Sequence, residues 1–157
     1  MNIKFRVATL KDAETIGSLV VDLTNEICEL TKGQHFDIDL INTIQSCFEL
    51  IRDGHYSAII AESENNPIAI VTITETHALY AGGKIGLIQE FYVSPDYRAS
   101  GVGSMLLEQV KIYGKQQSWS CIELCTPPLP EFERTLGFYQ KNGLSPVGGR
   151  KMRQALV

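Results

Sequence analysis

The sequence predicts an α/β fold, helices and strands mixed along the chain, with a mixed sheet at its centre. Three observations carry that expectation. The elements run strand, two helices, three strands, helix, strand, helix, strand. The central strands are close enough to pair as hairpins, whereas the later strand–helix–strand stretches call for crossovers and parallel pairing. The chain has 157 residues, 44% hydrophobic and 20% charged. That suits one domain over 1–157 with a buried core, and the chain shows no repeat, linker or low-complexity segment.

Each element has its own signal. "IKFRVAT" reads as a strand, and in "LKDAETIGSLVVDLTNEICEL" Ala13, Ile16, Leu19, Val20, Leu23 and Ile27 recur at helical spacing until Gly33 breaks the pattern. "DIDLINTIQSCFELIRD" is a second amphipathic helix ending before Gly54. "YSAIIAES" and "PIAIVTITETHAL" are strands joined across "ENNP", with Asn and Pro as turn residues. "KIGLIQEFYV" is a strand, and "GVGSMLLEQVKIYGKQQ" a helix with Val102, Leu106, Val110 and Tyr113 on one stripe. "SCIELCT" is a strand, "EFERTLGFYQKNG" a helix closed by Gly143, and "LSPVGGRKMRQALV" a broken terminal strand pair.

Composition excludes more than it identifies. A net charge of -4 argues against nucleic acid, which needs a basic stripe, and is compatible with a cationic ligand. Cys28, Cys47, Cys121 and Cys125 form no Cys-x-x-Cys pair, and His35, His55 and His77 are scattered. No metal site is expected, and the cysteines read as buried, reduced thiols. "MNIKFRVATLKD" lacks the apolar core of a signal peptide, and no apolar run approaches the ~20 residues of a membrane span. A soluble chain in the cytoplasm, with no membrane partner, is the expectation.

The strand "KIGLIQEFYV" is apolar on both faces, as an interior strand covered on both sides would be. Strict alternation puts Ile85, Leu87, Phe91 and Val93 on one face and Ile88 and Tyr92 on the other, with Gln89 and Glu90 interrupting one face each. Burying an unpaired carboxylate is costly, so Glu90 is partnered, near water or kept for a purpose, unless the strand reaches the surface there. Next comes "VSPDYRASGVGS". A strand end running into a helix start leaves several backbone N–H groups pointing outward, and the helix dipole favours an anion there. Gly101 and Gly103 let a bulky ligand approach the backbone, and Arg98 can add a bidentate charged contact. The other reading is a plain turn with Ser100 as N-cap. The stretch is no P-loop, since no Gly-Lys-Ser/Thr follows, and Leu106 stands where the dinucleotide fingerprint needs a small residue.

Arg-x-x-Gly-x-Gly after "FYVSPDY", within "LIQEFYVSPDYRASGVGSMLLEQV", resembles the core motif of the GNAT superfamily of N-acetyltransferases. "FRVATLKDAETI" and "LGFYQKNGL" resemble flanking parts of the same family, as does the order of elements. The resemblance implies a mixed, mostly antiparallel sheet with helices on both faces and a splay between two parallel strands where acetyl-CoA lies. Arg98, Ala99, Ser100, Gly101, Val102, Gly103 and Ser104 would wrap the pyrophosphate, largely through backbone N–H groups. The backbone of Phe91 and Val93, with Tyr92 between them, would pair with the pantetheine arm like an added strand.

Acetyl transfer to an amine sets its own requirements. An alkyl amine with a pKa of about 10 is neutral in only about one molecule in a thousand at pH 7, so a base or a water must take its proton. The resemblance implies Glu90 for that role and Tyr139 as the acid that protonates the departing thiolate. A backbone N–H on the same strand could hold the oxyanion. Tyr139 also lies at helical spacing from Phe132 and Leu136, which would suit a core residue. The sequence departs from the family at "PPLPEFER", where relatives carry an asparagine that contacts the cofactor arm. Polyamine, amino acid, aminoglycoside and protein amine all remain open as acceptors, and Asp37 and Asp39 could greet a cation or cap the second helix. The terminal strands could support a homodimer. A non-catalytic acyl-CoA-binding sensor on the same scaffold is the alternative to an enzyme.

Overall fold

The computed structural model describes residues 2–33 and 38–157. His35 and Asp37 lie outside the described residues. The chain divides into two compact units, 1–124 and 125–157. In the first, β1 (Ile3–Val7) leads through a 3-10 turn (Leu10–Asp12) into α1 (Ala13–Thr31) and α2 (Leu40–Arg52). Then come β2 (Ser57–Ser63), β3 (Asn66–Ala78), β4 (Gly83–Val93), α3 (Val102–Gln116) and β5 (Ile122–Leu124). The second unit holds α4 (Glu133–Lys141). The sheet order is β1-β2-β3-β4-β5, antiparallel from β1 to β4 and parallel only between β4 and β5. This is the mixed, mostly antiparallel sheet that was expected.

Local chemistry explains the joints. The β2–β3 turn is tighter than "ENNP" suggested: Glu64 and Asn65 alone turn the chain, with φ of 51° and 66°. Positive φ at both central residues is what a two-residue hairpin of this hand requires. Thr9 and Asp12 form a capping box before α1, and the Asp12 carboxylate also takes two 2.8 Å bonds from the Arg6 guanidinium. That fork holds the Asp12 carboxyl below its usual range. Asp39 accepts from Asn42 N at 2.9 Å, so it caps α2. At Gly17 a Cβ would lie 2.7 Å from Ile44 Cγ1, so the glycine is what lets α1 and α2 approach.

The predicted stripe of α1 faces the core. Ala13, Ile16 and Val20 pack with Cys47 of α2 and with Ala58, Ile60, Ile70 and Tyr92 of the sheet. The opposite sheet face carries α3, whose Val102, Leu106, Leu107 and Val110 are fully buried. Tyr113, also on the predicted stripe, donates from its hydroxyl to Ser57 Oγ at 3.0 Å. Trp119 fills the space beside two glycines: a Cβ on Gly86 of β4 or Gly114 of α3 would lie 2.3 or 2.7 Å from its ring. Its indole N–H donates to Glu75 Oε1 at 2.7 Å.

Three expectations need correcting. Strict alternation along β4 fails because a bulge sits at Gln89: Ile73 pairs with Ile88, but Thr72 pairs with Glu90. The extra residue flips the parity. Glu90 and Tyr92 therefore share the face of Ile85 and Leu87, opposite Thr72 and Ile70, while Phe91 and Val93 join Ile88 on the α3 face. Residues 144–157 form no strand pair. Gly148 and Gly149 take φ of 91° and 84°, far from extended backbone, and Val147, Met152, Leu156 and Val157 stay exposed. Cys121 and Cys125 are exposed rather than buried, because they flank a three-residue edge strand instead of lying in a longer one. Cys47 alone matches the buried reading fully. Gly143 does close α4, with φ of 98° and Leu144 N donating to Tyr139 O at 3.0 Å. Among the described residues no helix is long and apolar enough to cross a membrane, and no group of three His, Cys, Asp or Glu could hold a metal ion.

Candidate functional site

The sheet opens where the motif begins. Among the described residues β4 pairs with β5 at Gly86–Ile122, Leu87–Glu123 and Ile88–Leu124, and its pairing with β3 runs on to Val93. Ser94 N bonds Ile68 O at 2.8 Å and Glu90 N bonds Thr72 Oγ1 at 3.0 Å, both toward β3. Alternation between those two points turns the N–H groups of Phe91 and Val93 away from β3, across the splay. This edge is where an amide-bearing ligand could add itself as a strand.

Beyond Val93 the chain folds back through a 3-10 turn, Pro95–Tyr97, into the loop before α3. Ala99 and Gly101 both adopt left-handed backbone, with φ of 59° and 89°. At Gly101 that conformation is the reason for the glycine, since a Cβ there would meet no neighbouring atom. Ser100 is not the N-cap: its hydroxyl donates to the Tyr97 carbonyl, and Gly101 occupies the cap position with no side-chain cap bond. The first-turn N–H groups of Val102, Gly103 and Ser104 precede any helical acceptor. First-turn N–H groups with no side-chain cap, two left-handed residues and a helix dipole together suit a phosphate. The residues present fit a pyrophosphate.

Arg98 stands at the rim. Its Nε donates to Val93 O at 2.8 Å, and its two terminal nitrogens fork onto Glu26 of α1 at 2.7 and 3.2 Å. The guanidinium also lies over the Tyr92 ring, 5.3 Å from its centroid. Sequence reasoning had no signal for Glu26, 72 residues away.

Glu90 lies on the α1–α2 face of the sheet, half-buried. Its carboxylate accepts from the hydroxyl of Thr72, and the Tyr56 hydroxyl is 3.4 Å from each of its oxygens. Burial, and then the Glu90 charge, push the Tyr56 phenol well above its usual range and the Cys47 thiol up to about 11. Both therefore stay protonated near neutral pH. Sequence reasoning missed Thr72 and Tyr56; the one readable hint was a hydroxyl inside the apolar run "PIAIVTI".

The first unit thus brings together Glu90, Phe91, Tyr92, Val93 and the loop Arg98–Ser104. Tyr139 belongs to the second unit, on α4. It is buried beside Phe138, ring centroids 5.1 Å apart and nearly edge-on, and burial pushes its phenol well above the usual value.

Comparison with known proteins bears on the family and the fold. The chain is 25% identical over 150 residues to an aminoglycoside N(6')-acetyltransferase type 1 of Acinetobacter haemolyticus, covering 89% of this chain and 92% of that one. Among solved structures it matches a predicted acetyltransferase with acetyl-CoA from Clostridium acetobutylicum, with TM-score 0.78 and 18% identity, over 98% and 96% of the two chains. It also matches an aminoglycoside acetyltransferase from an uncultured soil metagenomic sample in complex with sisomicin, with TM-score 0.71 and 12% identity, over 99% and 95%. The model of the Acetyltransferase (GNAT) family matches residues 20–144, a span that takes in β4, the cradle before α3 and α4. The chain belongs to that family of N-acetyltransferases.

Proposed function

We propose that the protein transfers the acetyl group of acetyl-CoA to a primary amine by direct attack in a ternary complex. The observation that carries this reading is the continuity of one stretch of chain: β4 holds a carboxylate at Glu90, runs past the end of its pairing with β5, and leads through a short turn to a helix N-terminus with no side-chain cap. The cradle Ala99–Ser104 takes the pyrophosphate through backbone N–H groups. Arg98, tied to Glu26 and the Val93 carbonyl, anchors that loop and sets a positive charge beside it. The pantetheine arm lies along Phe91–Val93 as an added strand.

In the transfer the amine, its proton accepted by Glu90, attacks the thioester carbonyl carbon. A C–N bond forms and a backbone N–H on the β4 edge steadies the oxyanion. The C–S bond then breaks and the thiolate takes a proton from Tyr139, whose raised pKa keeps it protonated. A thiol of pKa about 8.5 leaves readily, so the acid speeds this step without being essential to it. We take the acceptor to be a small-molecule amine and aminoglycosides as the class to try first. The named relatives support that choice, and the chain's acidic balance suits a polycation.

Calorimetric titration with acetyl-CoA, run beside NAD, tests the binding half. One-site binding of acetyl-CoA alone is expected. Free-thiol release with sisomicin as acceptor tests the transfer half. Binding without release from sisomicin or other amines would leave an acyl-CoA binder and defeat the catalytic reading.

A further inference from the structure

We propose that Thr72 is a positioning residue for Glu90, holding its carboxylate ionised and aimed at the acceptor; this rests on the base role given to Glu90 above. Thr72 is fully buried between Val71 and Ile73, themselves no more than 1% exposed. A hydroxyl there needs a partner, and one residue supplies both ends. Glu90 N donates to Thr72 Oγ1 at 3.0 Å, and the same hydroxyl donates to Glu90 Oε2. A hydroxyl has one proton. Here it is directed at the carboxylate, while a lone pair accepts the backbone N–H. The clip exists because Gln89 is an extra residue: the bulge sets Glu90 against Thr72.

Two further groups that face Glu90 are protonated ones. From the residue just before β2, the Tyr56 hydroxyl lies 3.4 Å from both oxygens. From α2, Cys47 faces the same charge and remains a thiol below about pH 11. On α1, Asp22 and Glu26 act on the Tyr92 hydroxyl, two residues along β4, where Arg98 offsets them. Donors aimed at a carboxylate favour its charged form and oppose the effect of burial. Thr72 is the donor built into the adjoining strand.

The test is a carbon-13 NMR titration of the Glu90 carboxyl in the full chain, in wild type, Thr72→Val and Thr72→Ser. Valine matches threonine in shape and lacks the hydroxyl. The titration midpoint should rise by about one pH unit in Thr72→Val and return to the wild-type value in Thr72→Ser. Thr72→Ala gives the same reading should the valine variant fail to fold. A midpoint unmoved by loss of the hydroxyl, with or without a lower melting temperature, would overturn the proposal and leave Thr72 a packing residue. The acid limb of the kcat/KM profile with sisomicin separates the two readings. A limb that moves with the NMR midpoint supports both. A midpoint that moves while the limb stays keeps Thr72 as the holder of Glu90 and removes Glu90 as the base.

Discussion

Replacing Glu26 with glutamine asks what Arg98 is for. The substitution keeps the length of the side chain and one acceptor oxygen but removes the charge that the guanidinium grips at 2.7 and 3.2 Å. The two side chains are 41% and 27% exposed, so the pair lies in the surface regime rather than the interior. A well-aligned fork there is worth about 1 kcal/mol, or about five-fold in a dissociation constant. If Arg98 anchors the loop, E26Q loosens the cradle and weakens acetyl-CoA binding by up to that factor. Removing a negative charge near the pyrophosphate also favours binding, whatever Arg98 does. The measurement is therefore a double-mutant cycle: calorimetric affinities of wild type, E26Q, R98A and the double variant. The general field effect cancels in the cycle and the coupling remains. Anchoring predicts that E26Q weakens binding about five-fold more when Arg98 is present than when it is absent. Coupling of the opposite sign would mean that Glu26 holds Arg98 back from the phosphate, and zero coupling would mean the ion pair is irrelevant to the site. Either result refutes the anchor.

Other consequences can be checked in the same preparations. Gly103→Glu should abolish acetyl-CoA binding by filling and charging the cradle, while the melting temperature holds, since an acid in the first turn suits the helix dipole; unchanged affinity would mean that the start of α3 is not the site. Tyr139→Phe should lower kcat by about ten- to hundred-fold with a much smaller change in acetyl-CoA affinity, and an unchanged rate would make Tyr139 purely a core residue. Stability should fall as the pH rises above 9. Cys47 ionises near 9 when unfolded but only at about 11 when folded, so the unfolded chain loses its proton first and the native state loses ground between those values. Tyr56 and Tyr139 add to that loss above pH 10, because burial raises both. Thermal melts should show Cys47→Ala losing the part of this slope that begins at pH 9.

Much of the fold was legible because it rests on local pattern. The stripe from Ala13 to Ile27 and the one from Val102 to Tyr113 are set by one helix burying one face, and both turned out as read. The helix start after Gly101 was legible because a glycine pair follows a strand end there, although Gly101 and not Ser100 takes the cap position. What failed depended on partners. Alternation along β4 could not reveal an extra residue at Gln89, since a bulge is defined only against the facing strand. The positions of Thr72 and Tyr56 around Glu90 were hidden by the same parity flip, and the Glu26 grip on Arg98 joins residues far apart in sequence. The tail offered apolar residues in a strand-like pattern, but Gly148 and Gly149 set its backbone otherwise. Cys121 and Cys125 read as buried because the strand around them looked longer than the three residues that pair.

The wedge between Gly86 and Gly114 has an optical consequence. Trp119 is the chain's single tryptophan, so all indole emission comes from the point where β4 and α3 meet. Gly86 is also where the parallel pairing begins, with its N–H bonded to Cys121 O at 3.1 Å, and the splay opens only three residues later at Gln89. The fluorescence of the unlabelled protein therefore monitors the closed end of that seam. A ligand that wedges the strands apart would redden it, and one that merely lines the open edge would leave the colour unchanged.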